Sequence, residues 1–129
     1  MKIMMYYDGT KDAKEALPIV MEHAKTFQAQ VDVVSSLPKG NEAQLEEIEK
    51  REDGLADIKR ALDRESIPCE THLLIRGRDA GEDIVDFAKQ HEVKEIIIGT
   101  KKRSLFDRLF AGWMANRVLG SAACPVVLV

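Results

Sequence analysis

Cysteine is scarce in this sequence, which holds only Cys69 and Cys124. Each lies in or beside a predicted strand, so both are interpreted as small buried hydrophobic residues, and no disulfide framework is expected. No apolar run is long enough to span a bilayer. The opening MKIMMYYDGT turns polar too early for a signal peptide. We therefore expect a cytoplasmic protein without a membrane partner.

The signatures of several catalytic and metal-binding classes are missing as well. There is no GxxxxGKS/T phosphate loop, no CxxC or HExxH pattern, and no serine in a nucleophile elbow. His23, His72 and His91 fall on separate predicted elements, and all three are interpreted as structural or surface residues. The residues thus predict neither a metal site nor a catalytic constellation, and no enzyme is expected.

The net charge and the length of the chain limit which classes of protein remain. Lys and Arg number 19 against 22 Asp and Glu, a formal net charge of −3, which argues against a dedicated nucleic-acid-binding protein. A length of 129 residues fits one domain, and a single hydrophobic core can stabilise a chain of that size. Since the sequence holds no internal repeat or linker, we predict one domain over residues 1–129.

Segments with strand and helix periodicity alternate along the chain. The first helix is predicted to be capped by Asp12 with Glu15 as its capping-box partner, and to be kinked at Pro18. The other helices are predicted to begin near Asn41, to cover residues 80–91, and to continue to about Leu119. The predicted strands cover residues 2–7, 31–35, 69–75, 93–98 and 124–129.

This alternation predicts an α/β fold with three layers, an open parallel five-stranded sheet with helices on both faces. Crossovers are expected to be right-handed. One common wiring of five such strands is 3-2-1-4-5, in which strands one and four are neighbours. Ligands bind at the crevice between the carboxyl ends of those two strands. The two loops expected there are Asp8-Gly9-Thr10 and the stretch that follows strand four.

That stretch, GTKKRSLFDRLFAGW at residues 99–113, has the features of a phosphate loop. Gly99 and Gly112 lie near its two ends, and glycine lets a backbone approach phosphate closely. Its lysines and arginines attract anions. A solvated basic loop is the alternative interpretation. Asp8 could contact the sugar or base of a ligand, or order its own turn by accepting backbone hydrogen bonds, and we favour the turn role.

Four segments, in this order, resemble the universal stress protein family. They are YYDGT at 6–10, RGRDAGEDIVDFAKQ at 76–90, VKEIIIGTKKRS at 93–104 and ANRVLGSAACPVVLV at 115–129. The resemblance covers the whole chain and implies the open parallel sheet of order 3-2-1-4-5. It also implies a homodimer formed through the last strand, 124–129. An apolar strand at a sheet edge independently invites pairing with another chain.

Many members of that family bind ATP through a glycine, two residues, a second glycine, nine residues, and a third glycine followed by Ser or Thr. On this chain the first and third glycines are Gly99 and Gly112, but Lys102 stands at the second and Trp113 at the Ser or Thr position. Lysine resists the backbone geometry of glycine. Trp113 replaces a hydroxyl that would contact phosphate and would fill the volume that a triphosphate needs.

The resemblance therefore implies a candidate nucleotide or small-anion site that is degenerate at Lys102 and Trp113. The site would contain Asp8, which stands where the family contacts adenosine, and Gly99, Lys102, Arg103, Ser104 and Gly112. The leading hypothesis is a homodimeric binding or signalling module of the stress response, with no cofactor firmly implied. The alternative is a universal stress protein that binds ATP or AMP and performs slow hydrolysis or phosphotransfer.

Overall fold

A computed structural model describes residues 1–37, 44–99 and 124–129, apart from the side chain of Asp12. It contains one parallel sheet in the order β3-β2-β1-β4-β5. The strands are β1 (Lys2–Tyr6), β2 (Gln30–Leu37), β3 (Cys69–Ile75), β4 (Glu95–Ile98) and β5 (Val126–Leu128). The sequence prediction of five parallel strands ordered 3-2-1-4-5 is therefore confirmed.

Four helices lie in the described part of the chain. They are α1 (Lys11–Lys14), α2 (Leu17–Phe27), α3 (Leu45–Arg64) and α4 (Ala80–Gln90). The start predicted for the second long helix at Asn41, and the last predicted helix to about Leu119, lie outside the described residues. None of the helices described is both long enough and apolar enough to cross a membrane.

The helices cover both faces of the sheet. Ile3 and Met5 point from β1 into a core that α2 and α3 complete. Met4 and Tyr6, the alternate residues of β1, point into a second core that is completed by α4. All four side chains are buried, with 5 % exposure or less. The apolar run IMMY is therefore typical of a central parallel strand that is covered on both faces.

The first predicted helix differs from the structure. It begins at Lys11, so Asp12 lies inside its first turn and not at its cap. Thr10 is the capping residue, because its hydroxyl oxygen accepts a hydrogen bond from the backbone N–H of Ala13 at 3.2 Å. The prediction of a single helix kinked at Pro18 is also wrong. Helix α1 ends at Lys14, and α2 begins at Leu17 with Pro18 in its first turn. There the missing N–H of proline costs nothing.

The middle of α3 is set by a close contact with the end of β1. A Cβ atom added at Gly54 would lie 2.6 Å from two ring carbons of Tyr7, closer than van der Waals contact allows. Gly54 therefore lets α3 pack against the tyrosine ring. Tyr7 lies 47 residues away in the chain, so no local sequence pattern indicates this contact.

Candidate functional site

The carboxyl ends of β1 and β4 meet at one edge of the sheet. Tyr6 and Ile98 are the last paired residues of the two strands. Asp8 follows Tyr6 after one intervening residue, Tyr7, and Gly99 follows Ile98 directly. The predicted neighbourhood of strands one and four is therefore confirmed. The other predicted site residues lie outside the described residues, so their roles stay predictions: Lys102, Arg103, Ser104, Gly112 and Trp113.

Asp8 orders the turn that leaves β1. Its Oδ1 accepts hydrogen bonds from the backbone N–H of Thr10 at 2.9 Å and from the Thr10 hydroxyl at 2.5 Å. The same hydroxyl caps α1 through Ala13. Gly9, between them, has a φ of 86°, a left-handed conformation that glycine adopts without steric cost. The Asp8 carboxylate thus links the end of β1 to the start of α1.

Arg51, which sequence reasoning missed, closes one side of this turn. Its guanidinium Nη1 donates to the Ser35 hydroxyl oxygen at 2.7 Å, and that hydroxyl donates to the Tyr7 carbonyl at 2.6 Å. A Cβ atom at Gly9 would lie 2.5 Å from Arg51 Nε, so the side chain lies against the turn. It is only 12 % exposed. Along the sequence, Arg51 is visible only as the partner of Glu47 on a charged helix.

A second buried contact ties β2 to α4 at the same edge. The Ser36 hydroxyl donates to Asp83 Oδ2 at 2.9 Å, and Arg76 lies 2.8 Å from Asp83 Oδ1. The Asp83 side chain is fully buried, whereas that of Arg76 is 37 % exposed. Because a buried carboxylate needs a counter-charge and hydrogen bonds, Asp83 is an anchor for the loop between β3 and α4.

Tyr6 is a neutral phenol at this edge. Burial raises its pKa to about 12, and the negative charge of Asp8 adds to the shift. Burial also raises the pKa of the neighbouring Tyr7. Neither phenol supplies a base or a nucleophile at physiological pH, since both keep their protons there.

The histidines are less isolated than the sequence indicated. The ring centroids of His72 and His91 are 5.8 Å apart, and His91 stacks on Phe87 at 3.9 Å. His72 Nε2 also lies 3.2 Å from Asp32 Oδ1. His23 pairs separately with Glu95, Nδ1 to Oε1 at 2.7 Å. Their positions on separate elements gave no signal of these contacts, which join different elements of the fold: α2 to β4 for His23, and β3 to β2 and α4 for His72.

The sheet order and the crevice at its carboxyl edge define a doubly wound α/β domain. The chain belongs to the universal stress protein family, whose family model matches residues 1–129. It is 30% identical to a Thermus aquaticus protein described as "Universal stress protein in QAH/OAS sulfhydrylase 3'region", with 98% of this chain and 96% of the relative covered.

Solved structures of the same family share the fold. A universal stress protein from Archaeoglobus fulgidus matches with a TM-score of 0.84 and 32% identity, over 99% of this chain and 92% of that one. A structure of the universal stress protein from the same organism, in complex with dAMP, matches with a TM-score of 0.80 and 29% identity, over 99% of this chain and 96% of that one.

Proposed function

We propose that this universal stress protein is a homodimeric binding and signalling module of the stress response, with a nucleotide site too degenerate to hold ATP tightly. The proposal is carried by one observation: Lys102 and Trp113 stand where the ATP-binding motif of the family has a glycine and a Ser or Thr. The glycine places backbone N–H groups against phosphate, and the hydroxyl adds a contact at a helix start. Neither replacement supplies the same geometry.

The residues described at the β1 side of the crevice support a site with low affinity for ATP. Both contacts of Thr10 occupy Oδ1 of Asp8, so that oxygen is committed to the turn. The Arg51 side chain lies against Gly9, and a ligand approaching Asp8 from the side of α3 must contact its guanidinium. A cation there attracts an anionic group, but it also occupies space beside the turn.

A second candidate function is binding of an adenine nucleoside monophosphate. The observation that favours it is the Archaeoglobus fulgidus relative in complex with dAMP, which is 29% identical to this chain. A monophosphate needs less room and fewer backbone donors than a triphosphate. A ribose hydroxyl could donate to Oδ2 of Asp8, the oxygen that Thr10 does not use.

We also propose that the chain is not an enzyme and that it acts in the cytoplasm. In support of the first point, the polar side chains described at the crevice edge are engaged in structural contacts. Asp8 accepts hydrogen bonds from Thr10, Ser36 donates to Asp83, and Arg51 donates to both Ser35 and Glu47. The neutral Tyr6 adds no base. Phosphotransfer needs a nucleophile or a water-positioning group that is free to reach the phosphate.

The homodimer is supported by the edge position of β5. Among the described strands, β5 pairs with β4 and ends the sheet on that side. Leu128 is 46% exposed there. An edge strand with apolar side chains and open backbone groups favours pairing with a second chain, and a two-fold axis would join two copies of β5 antiparallel.

Isothermal titration calorimetry with ATP, AMP and dAMP tests the nucleotide part. We expect no tight ATP binding by the native chain, and a gain in ATP affinity in the double variant Lys102→Gly with Trp113→Ser. Lys101→Gly is the matched control, since it removes the neighbouring charge without restoring the motif. Stoichiometric ATP released from the purified, denatured protein would contradict the proposal. Release of ADP from added ATP would instead favour the hydrolytic alternative.

A further inference from the structure

A polar cluster outside the crevice lies on the α4 face of β2 and β3. Asp32 and Glu70 are directly opposite each other in the parallel register of these strands. His72 follows Glu70 by two residues, so its side chain points to the same face of the sheet. Asp32 is near the amino end of β2, away from the carboxyl edge that holds Asp8.

The three side chains converge on one point. His72 Nε2 lies 3.2 Å from Asp32 Oδ1 and 3.8 Å from Glu70 Oε2, and the three donor atoms all lie within 4.8 Å of one another. Ligands at zinc–ligand distances of about 2.0–2.1 Å in a tetrahedron are about 3.3 Å apart. Small side-chain rotations therefore suffice to place one ion between the three donors.

Charge and burial indicate that this cluster needs a cation. Asp32 is 1 % exposed, and its Oδ2 is buried with no hydrogen-bond partner among the described residues. A buried carboxylate oxygen without a partner is costly, and a second carboxylate directly across the strand pair adds repulsion. One imidazolium could balance only one of the two carboxylates. A divalent ion would neutralise both carboxylates.

Packing against α4 restrains one side of the cluster, and the other side is open to solvent. The ring of Phe87, from α4, lies 4.8 Å from the His72 ring between centroids, which restricts the imidazole. The side chains of His72 and Glu70 are 23% and 66% exposed, so an ion can enter from solvent and keep a water ligand. Cys69 does not contribute, because it packs in the core on the opposite face.

We propose that Asp32, Glu70 and His72 form a binding site for a divalent first-row transition metal such as Zn²⁺. One imidazole nitrogen with two carboxylate oxygens suits zinc, whereas Mg²⁺ and Ca²⁺ prefer sites made of oxygen alone. The bound ion would fasten the edge strand β3 to β2. This site is independent of the nucleotide crevice, so failure of either proposal leaves the other intact.

Calorimetric titration of chelator-treated full-length protein with Zn²⁺, and separately with Mg²⁺, tests the site. We expect saturable binding of one Zn²⁺ per chain and none of Mg²⁺. His72→Gln and Glu70→Gln should each weaken Zn²⁺ binding at least about tenfold. Glu70 is exposed, so its variant keeps the test valid if a change at His72 or Asp32 prevents folding. Visible absorption of added Co²⁺ should appear in the native chain and be lost in His72→Gln.

His23→Gln is the matched control. It removes the other histidine–carboxylate pair, His23 with Glu95, which no second carboxylate joins among the described residues. It should leave Zn²⁺ binding unchanged. Three results would overturn the proposal: no saturable Zn²⁺ binding up to millimolar concentration, equal affinity in the native, His72→Gln and Glu70→Gln chains, or an equal loss in His23→Gln. Each result would indicate that the cluster is an ion pair between His72 and Asp32 and not a metal site.

Discussion

Replacement of Asp8 by alanine separates the two roles open to this residue. The variant loses the two hydrogen bonds that Oδ1 accepts from Thr10, and it frees the Thr10 hydroxyl that caps α1. Hydrogen bonds to a charged acceptor contribute about 1.5–3 kcal/mol each. Asp8 is only half-buried, so water replaces part of both bonds, and the net loss should be about 1–2 kcal/mol, similar to the loss of a helix cap.

For a chain of this size, a change of 1 kcal/mol shifts Tm by about 4 °C. We therefore expect Asp8→Ala to lower Tm by about 4–8 °C in nucleotide-free protein. Thermal unfolding followed by circular dichroism measures the shift. Asp8→Asn should retain part of the stability, because an amide oxygen can accept the same bonds without the charge.

Asp79→Ala is the matched control, because Asp79 caps α4 and takes no part in the turn after β1. Asp79 accepts a hydrogen bond from Glu82 N–H at the start of α4, so its variant should lower Tm without changing nucleotide affinity. An unchanged Tm in Asp8→Ala, together with a loss of AMP or dAMP binding, would refute the turn role. It would assign Asp8 to ligand contact.

Three further predictions concern packing, assembly and pH. Gly54→Ala should destabilise the chain by about 1–3 kcal/mol in urea unfolding, because its Cβ would lie 2.6 Å from the Tyr7 ring carbons; wild-type stability would contradict that contact. Light scattering should give a dimer mass for the native chain and a monomer mass for Leu128→Lys. Leu45→Lys, which changes an exposed leucine remote from β5 in sequence, should stay dimeric. A monomer mass for the native chain would refute the β5 interface. The Tyr6 pKa is raised from 10.0 to about 12, so its stabilising contribution is complete below pH 10 and lost as the pH rises through about 12. Absorbance titration against Tyr6→Phe checks this, and titration of Tyr6 at its ordinary pKa would contradict the burial effect.

The parallel sheet follows from local patterns together with general rules of topology, whereas its order 3-2-1-4-5 is one common wiring that the family resemblance implies. Alternating periodicity predicts parallel strands joined by helices, and the run IMMY in β1 is apolar at every position because both of its faces are covered. The same reasoning places Asp8 and Gly99 at one edge, as the register of β1 with β4 confirms. Element boundaries were less accurate: β2 extends to Leu37, because Ser36 and Leu37 continue the pairing with β3.

The choice of cap at α1 shows why local signals alone were insufficient. Asp12 with Glu15 has the spacing of a capping box, but Thr10 lies earlier and is held in place by Asp8. Once that turn is fixed, the helix begins at Lys11. The Thr10 hydroxyl then lies at the cap, where it accepts the hydrogen bond from Ala13 N–H.

Periodicity and short motifs act over a few residues, so they were enough to indicate the family, the order of elements and the position of the crevice. Only the tertiary structure brought Arg51 onto Gly9 and Asp32 beside His72. The first pair is 42 residues apart and the second 40, so neither spacing carries a local signal. Their contacts depend on the register of β2 with β3 and on the close packing of α3 at Gly54, which the whole core fixes together.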